Sequence, residues 1–174
     1  MSKEKEVFTF NKNSIKKAEE IIAKYPTSRQ KSAMLPLLEL AQRQNGGWLS
    51  TAAIECVASY LSEPFMRAYE VATFYTMFNL KPVGKYHIQL CGTTPCWLMG
   101  SDEVMKACEQ HAKTKCGETS DDGLFTISEV ECLGACRNAP VVQINDDFYE
   151  DLNAAKVGEI LQSLRKNKTR QQEL

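Results

Sequence analysis

Seven cysteines lie in this chain, and four of them fall in two close pairs: Cys91 with Cys96, and Cys132 with Cys136. The first pair is spaced C-x4-C and the second C-x3-C, with 35 residues between them. Two such pairs brought together from distant segments make a cage of four thiolates. A cage of that kind holds either a tetrahedral zinc ion or an iron–sulfur cluster. Zinc knuckles are more often C-x2-C, folded tightly about one ion, so the wider loops here favour a [2Fe–2S] cluster with two thiolates per iron. The spacing leaves zinc open.

The flanking residues lean the same way. Gly92 and Gly134 are expected to let backbone N–H groups approach the sulfurs, and such hydrogen bonds help to set a cluster's potential. Pro95 and Pro140 are expected to stiffen the loops, and Leu133, Trp97 and Leu98 to keep water out. Glu131, beside Cys132, is either a solvated strand-end acid or a charge that opposes reduction. At ~6 Å and an effective dielectric of ~20 its effect would reach about 3 kcal/mol at most. Cys56 and Cys108 sit in apolar helical patterns and read as core residues, and Cys116 as a partly exposed free thiol; none is given a ligand role. His87 on a strand and His111 on a helix have no implied nucleophile or carboxylate partner, so neither is read as catalytic.

The elements that must position the four cysteines divide at Lys81-Pro82-Val83-Gly84. Before it, residues 1–80 read as a small helical bundle. Residues 1–13 are expected to form an arm. Helices follow over Ser14–Tyr25, from Ser28 to Gly46-Gly47, from Ser50 to Leu61 and from Pro64 to Phe78. Pro36 requires a kink or a later start in the second. Phe74, Tyr75 and Phe78 serve either packing or partner docking.

After the divide, residues 84–174 run strand, helix, strand, strand, strand, helix. Tyr86, Ile88 and Leu90 alternate into Cys91, and Leu124–Val130 alternate towards Cys132. Ser101-Asp102-Glu103 is expected to cap a helix to about Lys115, a hairpin to join Val141–Ile144 to Phe148–Glu150, and a last helix to cover Asn153–Lys166 before a frayed tail. The class is α/β, a small open sheet flanked by helices, with both cysteine pairs at strand ends where such folds build sites.

Composition narrows the function. The 174 residues carry 21 basic and 22 acidic side chains, a net charge of −1, which gives no support for a nucleic-acid partner or for reading two short helices as a DNA-binding unit. The N-terminal Met1–Glu6 is polar and has neither the apolar core of a secretion signal nor the acid-poor character of a transit peptide. No apolar run approaches the ~20 residues of a membrane span, so direct membrane insertion is not expected. No Gly-rich phosphate or dinucleotide motif is present, so neither NADH nor FMN is expected to bind here.

Cys91-Gly92-Thr93-Thr94-Pro95-Cys96-Trp97, Gly117-Glu118-Thr119, Asp122-Gly123-Leu124-Phe125, Glu131-Cys132-Leu133-Gly134-Ala135-Cys136, Ala139-Pro140 and Tyr149-Glu150-Asp151-Leu152 closely resemble the thioredoxin-like [2Fe–2S] ferredoxins. Gln44–Leu49 and Val71–Phe78 narrow the likeness to the 24 kDa (E) subunits of NADH:quinone oxidoreductases. The resemblance covers nearly the whole chain. It implies a thioredoxin-like domain preceded by a helical bundle, and one [2Fe–2S] cluster held by Cys91, Cys96, Cys132 and Cys136. It also implies a flavin-bearing F subunit that binds FMN and NADH, with the cluster within the flavin's reach and off the main electron path. Other peripheral-arm subunits and a place on the cytoplasmic or matrix side of a membrane come with it. The same motifs fit the equivalent subunit of an NAD-linked hydrogenase or formate dehydrogenase. A zinc-binding interaction module is the reading of a different class.

Overall fold

The computed structural model describes residues 7–172, with side chains described as far as Lys166. The chain divides into two compact units, Met1–Pro82 and Val83–Leu174.

The first unit is helical: α1 (Lys12–Ile22), a 3-10 turn (Gln30–Ala33), α2 (Met34–Gln44), α3 (Thr51–Tyr60) and α4 (Phe65–Phe74). Its core sets Leu37, Leu38, Ile54 and Val57 among Ala18, Ala41, Ala53, Ala68 and Ala72. Those alanines leave room for close helix approach. Asn11 caps α1, its side chain accepting from the Ser14 N–H, so the helix runs Lys12–Ile22 rather than Ser14–Tyr25. Ser50 caps α3 as expected, accepting from Ala53 N–H at 3.2 Å. Pro36 is the third residue of α2, where a missing N–H costs no intrahelical bond; the later start resolves it. Gly46 and Gly47 are left-handed, and Gly47 N–H closes the helix end on the Gln42 carbonyl at 2.8 Å.

Two expectations fail here. Phe10 is core rather than arm. It is buried and packs edge-on against Phe8 and Tyr60, at 5.8 and 5.6 Å between ring centroids. Gln44 holds that segment by its backbone, donating to Thr9 O at 2.8 Å and accepting from Asn11 N–H at 3.0 Å. Residues 1–6 of the proposed arm lie outside the described residues. Helix α4 stops at Phe74, not Phe78. Thr73 Oγ1 donates back to the Tyr69 and Glu70 carbonyls, while Gln42 binds Met77 O and Asn79 N–H and draws the chain out of helix.

The second unit carries β1 (Tyr86–Cys91), a short α5 (Thr94–Leu98), α6 (Ser101–Ala112), β2 (Phe125–Val130), β3 (Val142–Ile144), β4 (Asp147–Tyr149) and α7 (Ala154–Gln172). The sheet order is β2-β1-β3-β4. β1 and β2 are parallel; β3 and β4 continue the sheet antiparallel. The expected α/β class holds. The parallel pair follows from a crossover that contains α5 and α6. Ile88, Leu90, Val104, Cys108, Phe125, Ile127, Val142, Val157 and Leu161 form the core. Cys108 is core as expected, its thiol pushed up to about 12 by burial.

Three boundaries differ. Gly100, left-handed at φ 92°, stands at the cap of α6, and Ser101 is its buried first residue without a side-chain capping bond. The helix ends at Ala112 because Lys113 turns left-handed at φ 59°, while Glu109 accepts from Cys116 N–H and Lys115 Nζ. α7 continues to Gln172 rather than fraying from Lys166; residues 173 and 174 lie outside the described residues.

Candidate metal centre

The parallel register sets Cys91, the last residue of β1, opposite Val130, the last of β2. Both cysteine loops therefore leave the sheet from one edge. The first loop turns at once into α5, with Pro95 in its first turn, and α5 carries Cys96 inward. The second loop reaches Cys132 two residues past β2, passes the left-handed Gly134 (φ 80°) and ends in the 3-10 turn Cys136–Asn138.

The four sulfurs come as two pairs. Cys132 Sγ and Cys136 Sγ are 3.8 Å apart. That is the edge of a tetrahedron drawn about one metal at about 2.3 Å per metal–sulfur bond. Cys91 and Cys96 are within hydrogen-bond reach of one another. The two loops also join. The Leu133 N–H of the second donates to the Cys91 sulfur of the first, and Cys136 feels the charge of Cys91. Among the described residues no three His, Cys, Asp or Glu side chains converge on a single ion. Two linked pairs of thiols suit a two-iron core with two thiolates on each iron. The donor set and its hydrogen bonds fit the cluster that the sequence implies.

Polar hydrogens point at these sulfurs. Gly134 N–H reaches Cys132 Sγ at 3.4 Å, and Thr93 Oγ1 lies 3.1 Å from Cys91 Sγ. Burial pushes the Cys91 thiol up, but Thr93, the Leu133 N–H and Cys96 together bring it below the ordinary value. Burial and then neighbouring Cys91 raise Cys96, against a Val141 N–H that lowers it. Its hydrogen bond with Cys132, followed by that group's charge, raises Cys136. Donors of this kind stabilise thiolate and tune a bound cluster.

Gly134 thus does what the sequence suggests, but Gly92 does not. Its N–H donates to Val130 O at 3.0 Å, and its missing side chain makes room for Glu129, whose Cδ lies 2.7 Å from where a Cβ would be. Trp97 and Leu98 do not seal the site either: they are 56% and 70% exposed, and Met99 63%. Only Leu133 packs half-buried with Ala139, Val141, Cys91 and Cys96. The two pairs differ sharply in burial. Cys91 and Cys96 are each 1% exposed, whereas Cys132 and Cys136 face solvent. Glu131 is exposed.

Sequence reasoning missed the buttress behind the second loop. Asn138 Nδ2 donates to Glu150 Oε2 at 2.6 Å, Asp151 N–H to Asn138 O at 2.7 Å and Leu152 N–H to Pro140 O. The stretch Tyr149-Glu150-Asp151-Leu152 was legible as a motif, but not its partner. Cys56 is half-buried and Cys116 exposed, both away from the four thiols in sequence and bonding. His87 Nε2 meets Ser128 Oγ at 2.8 Å and burial lowers its pKa; His111 packs against Gly158. Neither has a catalytic arrangement.

A family model described as thioredoxin-like [2Fe–2S] ferredoxin matches residues 18–165. The chain belongs to that family. A Rickettsia conorii protein named as the E subunit of NADH-quinone oxidoreductase is 65% identical over 158 residues, 91% of this chain and 95% of that one. A Dictyostelium discoideum protein named NADH dehydrogenase [ubiquinone] flavoprotein 2, mitochondrial, is 52% identical over 161 residues, 92% of this chain and 65% of that one. Among solved structures, an NAD+-reducing [NiFe]-hydrogenase in the H2-reduced state superposes with a TM-score of 0.66 at 19% identity. It covers 75% of this chain and 22% of the hydrogenase chain, and the likeness is one of fold.

Proposed function

We propose that this chain is the electron-transferring E subunit of an NADH–quinone oxidoreductase, holding one [2Fe–2S] cluster on Cys91, Cys96, Cys132 and Cys136. The observation that carries the reading is the meeting of two strand-end loops. Four thiols stand there as two pairs, with Leu133 N–H of one loop bonded to the Cys91 sulfur of the other. The 65% identity to a protein named as that E subunit, over nearly the full length of both, supports the assignment to that complex.

When bound, the cluster takes up and returns one electron. The chain's own work is to hold it with Cys91 and Cys96 buried and Cys132 and Cys136 at the surface, to donate N–H groups to the thiolates, and to exclude water on the Leu133 side. Electrons come from a flavin that carries NADH's electrons on a partner, the F subunit. Residues 84–174 form the cluster unit. Residues 1–80 form the helical unit that docks on partners, for which Phe74, 77% exposed, and Tyr75 are available, while Phe78 is buried in the core. No helix among the described residues is long and apolar enough to cross a membrane. The chain sits in the peripheral arm, on the cytoplasmic or matrix side, through its partners.

The test is iron and acid-labile sulfide analysis of the purified chain with electron paramagnetic resonance after reduction. Two irons, two sulfides and a one-electron signal are expected. One zinc and no signal would replace the cluster with a zinc module. Co-purification with tagged chain from its own cells separates a quinone reductase from a hydrogenase or formate dehydrogenase.

A further inference from the structure

Besides Glu131, a second acid, Glu129, lies beside the first cysteine loop. β2 sets Glu129 opposite Leu90, and one step beyond Cys91 the chain reaches Gly92. Glu129 folds over that glycine: its Cδ and Cγ stand 2.7 and 2.8 Å from the position a Cβ on Gly92 would occupy. The carboxyl group therefore rests on the Cα of the residue that follows Cys91. Consecutive Cα atoms are ~3.8 Å apart, which puts the carboxylate within about 11 Å of the Cys91 sulfur at the outside. Gly92 N–H is itself engaged with Val130 O, so this strand-end backbone is pinned where Glu129 leans on it.

Reduction adds one negative charge to the four-thiolate cage, with the electron supplied by the partner's reduced flavin and no bond made or broken in the protein. A carboxylate seated against the residue that follows a ligand opposes that added charge. We propose that Glu129 is a positioning residue for this electron transfer: seated in the gap left by Gly92, it holds the reduction potential of the centre down. The inference rests on the cluster reading above. It gives Gly92 a role other than admitting an N–H to sulfur, and it assigns Glu131, exposed like Glu129, the lesser effect. Glu129 is itself exposed on its outer side, so solvent screening keeps the effect moderate.

The full chain with its cluster is titrated against mediators, with the reduced signal read by electron paramagnetic resonance. Glu129→Gln, close in shape and uncharged, is expected to favour the reduced state two- to threefold, about 18–28 mV at 59 mV per tenfold for a one-electron couple. Glu131→Gln is expected to move it less. An unmoved or lowered midpoint in Glu129→Gln, or an equal rise in Glu131→Gln, overturns the inference. Iron and sulfide content establishes loading first. Should Glu129→Gln load poorly, Glu129→Asp keeps the charge but draws it back by one methylene. Its loaded fraction must then show a smaller rise, and no rise refutes the proposal. Wild-type chain without a one-electron signal would instead sink the cluster reading itself.

Discussion

At Cys132 and Cys136 two sulfurs stand 3.8 Å apart at the surface, while Cys91 and Cys96 lie under Ala139 and Val141. On the proposed ligand set, removing one of the four would leave an iron short of a ligand, so Cys136→Ala is expected to lose most of the bound iron and sulfide. Cys116→Ala, at an exposed thiol outside the cage, should keep all of it. Visible absorption and metal analysis of the two purified variants make the comparison. The buttress is expected to matter by a smaller margin. Asn138→Ala deletes the 2.6 Å bond to Glu150, and cluster loss under a chelator should run several-fold faster than in wild type, followed by the bleaching of the visible bands. At this scale the four cysteines were legible because two pairs of thiols at short spacing, in two distant segments, have few other uses. Glu129 was not legible, because nothing in the sequence marks which acid on β2 leans across to a glycine on β1. Nor were Trp97 and Leu98, whose large apolar side chains suggested shelter and which the fold leaves in solvent.

Among the elements, α7 is fastened to the turn before β2. Arg165 pairs with Asp122 at 2.7 Å and lies 5.2 Å over the Phe125 ring. Ser120 first, with the Leu124 N–H and Arg165, holds the Asp122 carboxyl below its usual range against burial, which opposes them. A depressed carboxyl gives stability that is present above the unfolded-state value near 3.9 and lost as pH falls through the folded-state value. Asp122→Asn should therefore cost about 1 kcal/mol at pH 7, kept small because both partners are more than a third exposed. In urea melts the difference from wild type should shrink as pH falls below about 3.9 and go on shrinking through the lower folded-state value. A cost that persists unchanged at low pH would count against the pairing. In the helical unit the core is lined by buried alanines. Ala72, 1% exposed, replaced by Leu should cost about 1–3 kcal/mol by thermal unfolding. The helices and strands could be read from period and capping, but their ends could not. Helix α4 ends early because Gln42, more than thirty residues away in sequence, takes Met77 and Asn79. Likewise, the short α5 was hidden inside the first cysteine loop because five residues are too few to show a period.

For the molecule as a whole, the chain divides at Pro82–Val83 into two compact units. The four cysteines, the donors to their sulfurs and the Tyr149–Leu152 buttress all belong to the second unit. Residues 83–174 expressed alone are expected to carry a full complement of cluster with an unchanged reduced spectrum, and to fail to bind partner subunits. Failure to load would show that the helical unit helps to build the centre. The parallel pairing of β1 with β2 is what sends both cysteine loops off one edge. From the sequence only a small open sheet was legible; the direction of that pairing came from the structure, where a crossover with two helices joins the strands.

The unequal depth of the two sulfur pairs has a consequence for how the bare chain ages. With no metal bound, a bulky alkylating reagent should label Cys132, Cys136 and the outlying Cys116 within the first minutes, and reach Cys91 and Cys96 only as the surrounding layer breathes. Peptide mapping over time would then show two waves of modification. Damage would begin at the mouth of the site while its floor stayed intact, so a chain that has lost its metal remains repairable for as long as the outer two are protected.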